Sequence, residues 1–416
     1  MTHSNKLKLI GPFKQLLTMA DMPLKGALKD EQLAVLEGGF GVLCDGETIK
    51  EVGLFANLLD RNKSENLEVI ELEGVVALPG FIDSHTHICF AGSRARDYAM
   101  RNAGKTYLEM AEQGGGIWYT VTLTRLASQS ELETGIKTRA DRHLAEGVTT
   151  IEVKSGYGLS LSEELKMLRA IKQSNAEHQA DFIPTCLAAH MLPKDFEGSK
   201  TEYLAMMAKE LFPKLKEEGL ANRIDIFVES SAFSPEEGKV YLEEAKALGF
   251  ELTVHADQFT VGGSALAVEV GAVSADHLEA STEEEIQILA KSETIATALP
   301  GASLGLGCPF TPARKLLDAG GSLAIASDWN PGSAPMGDLL MQAAVLGTIQ
   351  KLTNAEVLAG ITYRAAAALS LKDRGTLQAG MLADLAIFPC SDYKEILYQQ
   401  GKLKPSMVIK RGLKVN

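Results

Sequence analysis

From about residue 145 onward, short apolar runs alternate with longer amphipathic stretches. Residues 147–155 read as a strand, and 162–178 as a helix opened by Ser162, with Glu163 and Glu164 favouring its first turn. The same pairing recurs at 182–189 with 201–218, 223–230 with 235–248, and 251–255 with a short helix after Gly262-Gly263. It continues at 272–278 with 282–291 and 294–299 with 312–319, and ends on a strand at 323–327. With the apolar run 75–82 as the first, this makes eight strands alternating with helices. That pattern predicts a (β/α)8 TIM barrel of α/β class rather than an open sheet.

The two ends break this rhythm. Residues 1–74 and 376–416 carry short strand-like pieces around Cys44, Val52, Phe388 and Lys410, predicting one small β-sandwich domain built from both ends. The barrel is then expected over 75–375. Its first unit is unusual, because a long insertion separates Gly92 from Glu146. The triplet Gly114-Gly115-Gly116 inside it suits a lid, a close backbone approach to a site, or equally a plain flexible loop.

Bulk composition narrows the class. The 416 residues are 45% hydrophobic and 23% charged, with a net charge of −13, so neither a basic nucleic-acid surface nor an apolar membrane span is expected. The first residues lack the apolar centre of a signal peptide. Five scattered cysteines with no CxxC pair suit reduced thiols in a cytoplasm.

Active sites of such barrels sit at the C-terminal ends of the strands. Residues 79–87 read Pro-Gly-Phe-Ile-Asp-Ser-His-Thr-His, so His85 and His87 leave one strand end on the same side. The other strand ends carry Lys154 and Tyr157, His190, Glu229, His255 with Asp257 and Gln258, Asp276-His277, and Asp328. Five of the eight histidines fall at these ends; His3, His143 and His178 are read as solvent-facing or capping. Three imidazoles with one carboxylate suit a transition metal better than magnesium or calcium. A site of His85, His87, His255 and Asp328 leaves room for a water that ionises near neutrality. Asp328 is placed to move its proton, and His277 to polarise a carbonyl. Lys154 leaves open a carbamylated metal bridge, and Glu229 and Asp257 read as supporting residues.

These residues resemble the amidohydrolase superfamily. The segments Phe90 to Arg96, Gly114 to Ile117, Glu152 to Gly158, His255 to Gln258 and Ser327 to Ser333 narrow the resemblance to its imidazolonepropionase family, over nearly the whole chain. The resemblance implies hydrolysis of a cyclic amide, 4-imidazolone-5-propanoate, to N-formimidoyl-L-glutamate in histidine degradation. It implies one Zn2+ or Fe3+ per subunit on His85, His87, His255 and Asp328, with Asp328 and His277 as catalytic groups. It assigns the anionic small-molecule substrate to Arg94, Tyr157, His190, Gln258, Asn330, Gly332 and Ser333, and it implies a homodimer. A guanidinium at Arg94 matches a propionate carboxylate in the face of the negative chain. Gln258 stands where related deaminases place a proton-shuttling Glu, and an amide cannot shuttle a proton. A hydantoinase-like or dihydroorotase-like substrate and a non-catalytic scaffold remain the competing readings.

Overall fold

The computed structural model describes residues 7–63, 66–105, 109 and 114–415. Strands β1 (Leu7–Leu17), β2 (Val35–Asp45), β3 (Thr48–Leu54), β4 (Leu67–Glu71) and β5 (Val76–Pro79) come first. There follow β6 (Phe81–Asp83), β7 (Val148–Lys154), β8 (Asp181–Ala189), β9 (Arg223–Phe227), β10 (Glu251–Ala256), β11 (Ser274–His277), β12 (Ile295–Ala298) and β13 (Leu323–Ile325). The chain ends on β14 (Leu385–Phe388), β15 (Met407–Lys410) and β16 (Leu413–Lys414). Among the described residues, β6 to β13 form one parallel sheet in sequential order, a nearly closed barrel. The remaining strands form a separate mixed sheet in the order β16-β15-β14-β5-β1-β2-β3, with β4 beside β1. Thus both chain ends meet in one sheet, as the strand-like pieces at each end suggest.

The apolar run 75–82 is not one strand. Its first half, β5, pairs antiparallel with β14 in the small sheet, and its second half, β6, pairs parallel with β7 in the barrel. Gly80 is the crossing point: its N–H donates to Asp384 O at 2.8 Å, and a Cβ there would lie 2.4 Å from Thr149 Oγ1. Both halves are wholly buried, so hydrophobicity alone cannot tell which sheet each serves.

The barrel strands are buried on both faces, as parallel strands covered by helices must be. In β7 every residue is buried, so Glu152 and Lys154, two apart, share one face inside the barrel. The covering helices follow the sequence closely. The helix Leu161–Glu177 is capped by Ser160 rather than opened by Ser162: the Ser160 hydroxyl accepts from Glu163 N at 3.4 Å. The insertion after Gly92 holds helices Ala95–Asn102, Ile117–Leu126 and Gln129–Ala145, with Gly116 at the start of the second in a positive-φ conformation.

Two further points bear on the site. The seam between β6 and β13 is drawn together just beyond the strand ends, where Asp328 N donates to His85 O and His87 N to Trp329 O, each at 3.0 Å. The outlook for His143 needs correction. It sits fully buried on Gln129–Ala145, 3.1 Å from Asp83 Oδ2 and edge-on to Trp329. Asp83 in turn accepts from Ser327 N at 2.9 Å, so His143 braces the two segments that carry His85 and Asp328. His178 does cap its helix, and His3 lies outside the described residues.

Candidate metal centre and active site

Strand ends β6, β10 and the turn after β13 bring four side chains to one point. The Nε2 atoms of His85 and His87 are 3.2 Å apart, and those of His87 and His255 are 3.3 Å apart. Asp328 Oδ1 lies 3.6 Å from His85 Nε2 and 3.4 Å from His87 Nε2. All four residues are buried. Protons on these nitrogens cannot satisfy such mutual contacts. A tetrahedral ion with bonds of about 2.0–2.1 Å holds its donors about 3.3–3.4 Å apart, which is the spacing seen. The donor set therefore fits a metal ion. His277 also approaches His85 and His255, and can join a three-histidine group with them.

The rings are set for ligation by their other nitrogens. His85 Nδ1 hydrogen-bonds Asp276 Oδ2 at 2.7 Å, and His255 Nδ1 lies 3.0 Å from Asp225 Oδ2. A carboxylate on Nδ1 keeps the proton there and leaves Nε2 free to ligate. Burial holds the His85 ring well below the usual imidazole range, aided by Lys154 and the neighbouring rings. Burial likewise brings His255 down to about 4, although Asp225 pulls the other way. For Asp328, burial opposes ionisation, but His87, 3.4 Å away, and the other surrounding rings outweigh it and hold the carboxyl below its ordinary value. Burial also opposes charge on His277, yet Glu279, 3.3 Å from its Nδ1, raises it above the ordinary value.

A cavity of about 580 Å³ opens from this cluster. Every substrate-side residue expected from the sequence lines it: Arg94, Tyr157, His190, Gln258, Asn330, Gly332 and Ser333. Arg94 Nε is held by Asp97 Oδ2 at 2.8 Å, and the same oxygen accepts from Gly116 N at 2.8 Å. The glycine triplet thus carries the arginine's anchor. Gly332 is the complementary device. A Cβ there would fall 2.4 Å from Arg94 Nη1, so only glycine leaves the guanidinium its place. The His190 ring stacks near His87, and its Nδ1 bonds Gly156 O at 2.9 Å. Since a carbonyl only accepts, Nδ1 carries the proton, and burial keeps the ring neutral, so Nε2 is an acceptor. Asn330 is turned into its own loop: its Oδ1 accepts from Gly332 N and Ser333 N, and its Nδ2 donates to Asp328 O. Ser333 Oγ donates to Asp328 Oδ2 at 3.1 Å, leaving Oδ1 toward the histidines.

Other polar strand-end residues prove to be supports. Glu229 accepts from Phe259 N and Thr260 N, and Asp257 from Gly263 N and the Ser281 hydroxyl, which fixes the loop bearing Gln258. Lys154 is fully buried among carboxylates at 2.6 and 2.8 Å, with its ammonium turned to them. Four residues gain a place here that the sequence did not assign. Asp225, Asp276 and Glu279 each face a histidine, and Arg101 lines the cavity while donating to Gly305 O at 2.6 Å. Asp276 and Glu279 lie at or just past the end of a barrel strand and Asp225 lies within one, and acidic residues at such buried positions were the available signal.

A buried three-histidine, one-carboxylate centre at the mouth of a parallel barrel defines a metal-dependent hydrolase. Residues 76–415 match the amidohydrolase family model. The chain is 40% identical to an imidazolonepropionase of Symbiobacterium thermophilum over 404 residues, 96% of this chain and 94% of that one. It is 42% identical to another from Herpetosiphon aurantiacus, covering 83% of each chain. Among solved structures, an atrazine chlorohydrolase from Arthrobacter aurescens complexed with zinc superposes with a TM-score of 0.72 at 18% identity, covering 98% of this chain and 94% of that one. The chain belongs to the amidohydrolase family and groups there with the imidazolonepropionases.

Proposed function

We propose that the protein hydrolyses the ring amide of 4-imidazolone-5-propanoate, giving N-formimidoyl-L-glutamate. The observation that carries this reading is Arg94. It is anchored by Asp97, given room by Gly332, and set in the same cavity as the metal donors. A substrate with a carboxylate at one end and a cyclic amide at the other matches that polarity.

The donor set accepts either Zn2+ or Fe3+. When bound, such an ion supplies Lewis acidity and lowers the pKa of a water molecule toward neutrality. Asp328 accepts the proton released as water adds to the ring carbonyl, and returns it to the ring nitrogen as the C–N bond breaks. Its Oδ2 is steadied for this by Ser333. His277, raised by Glu279, donates toward the carbonyl oxygen as negative charge develops there. His190 Nε2 accepts a ring N–H, and Arg94 pairs with the propionate. Gln258 orients the ring without moving a proton. Five unpaired cysteines suit a reducing compartment, and we place the enzyme in the cytoplasm.

The test supplies freshly generated imidazolonepropionate to metal-loaded protein and follows formimidoylglutamate against spontaneous decay. Product formed at no more than the spontaneous rate sinks the reading.

A further inference from the structure

Lys154 ends β7 beneath the metal centre and touches none of its donors, yet it is among the largest wholly buried side chains. Its Nζ lies 2.6 Å from Glu152 Oε1, 2.8 Å from Asp225 Oδ2 and 3.9 Å from Asp276 Oδ2. Each of these carboxylates serves a different part of the donor set. Asp225 faces His255 Nδ1 and Asp276 faces His85 Nδ1. Glu152 accepts at its Oε2 from the backbone N–H of Thr86, the residue between His85 and His87. Thr86 returns a hydroxyl hydrogen bond to Glu152 O, and Lys154 N donates to Thr86 O.

We propose that Lys154 is the positioning residue of the metal centre: one buried cation that holds three carboxylates, and through them three histidine ligands, in register. The physical reason is charge balance. Three carboxylates buried within reach of one another repel, and each turns toward whatever donor is nearest unless a cation fixes it. With Lys154 in place, Asp225 Oδ2 is shared between Nζ and His255, and Asp276 Oδ2, which also accepts from Thr253 Oγ1 at 3.2 Å, is kept on His85. Without it, the two rings lose the partners that set their tautomer and tilt, and outer partners of this kind typically govern metal affinity by about 10–100-fold. A lysine whose only task is to fill the barrel has no such connection to the ligands.

The experiment measures metal affinity and ligand field rather than turnover. Lys154→Met keeps length and apolar bulk while deleting the charge. Zn2+ affinity is read by chelator competition, and the Co2+-substituted protein by its visible absorption spectrum. The expected result is a loss of affinity of about tenfold or more and an altered Co2+ spectrum. If the single variant is not recovered folded, Glu152→Gln with Lys154→Met, which removes one charge of each sign, carries the same two readouts. Zn2+ affinity within twofold of the unaltered protein together with an unchanged Co2+ spectrum, in whichever variant folds, overturns the proposal, even if the melting temperature falls. Neither readout involves substrate, so the proposed reaction can fail while this inference stands.

Discussion

Gly332→Ala isolates the proposed substrate anchor without replacing a charged residue. The added Cβ would lie 2.4 Å from Arg94 Nη1 and 3.3 Å from Asn330 Oδ1. Relief to an ordinary contact of about 3.4 Å needs the guanidinium to move roughly 1 Å, and displacements of that size cost enzymes about 100-fold. The movement is resisted, because Arg94 Nε is tied to Asp97. The backbone at 332 is outside the left-handed region, so alanine adds little strain of its own. Losing one well-placed hydrogen bond to a carboxylate costs about 1.5–3 kcal/mol. At about 1.4 kcal/mol per tenfold, kcat/KM falls by roughly 10–150-fold. The loss falls mainly on KM, since the propionate is remote from the reacting bond. The assay follows loss of imidazolonepropionate at varied concentration, with a thermal melt beside it. KM within twofold of the native value, in a protein that melts normally, refutes the placement of the carboxylate at Arg94.

Asp328→Asn keeps a donor oxygen but cannot accept a proton, so turnover falls by about 100–10,000-fold while some metal stays bound, measured as steady-state rate beside metal content; near-native turnover contradicts the proton role. Away from the site, Asp181 at the start of β8 ties the barrel floor to the chain end through Arg374 at 2.6 Å, Lys410 at 2.9 Å and Arg411 at 3.1 Å. Burial opposes its ionisation, but Lys410 and then Arg374 prevail and hold the folded-state value below the ordinary one. A depressed carboxyl contributes stability that is complete above its unfolded pKa near 3.9 and lost as pH falls through the folded value. Asp181→Asn therefore costs about 1–3 kcal/mol near neutral pH and shows a shallower loss below about pH 4, read from melting temperature against pH. Parallel curves for both proteins refute that account.

The barrel was legible because its signal is repetitive. Seven of its strands fall within a few residues of their expected places, since each is a short apolar run followed by an amphipathic helix. The exception, 75–82, fails for a physical reason: two buried strands in different sheets look alike in hydrophobicity, and only Gly80 with its clash against Thr149 marks the crossing. The candidate metal donors stood out because they cluster at strand ends, whereas Arg94, Asn330, Gly332 and Ser333 came only from the family resemblance. What escaped were the groups that hold them. His143 carries no mark in sequence that separates a helix face buried against Trp329 from an exposed one. Glu152, Lys154 and Asp225 did carry a mark. A charged residue on a buried stretch of a parallel barrel strand has no water to reach, so it must face partners inside the barrel. With one cation against three carboxylates, those partners include something else that gives up or shares a proton, and two of them are the histidines already named. Charges in such strands therefore point to the ligands as surely as the ligands point to the metal.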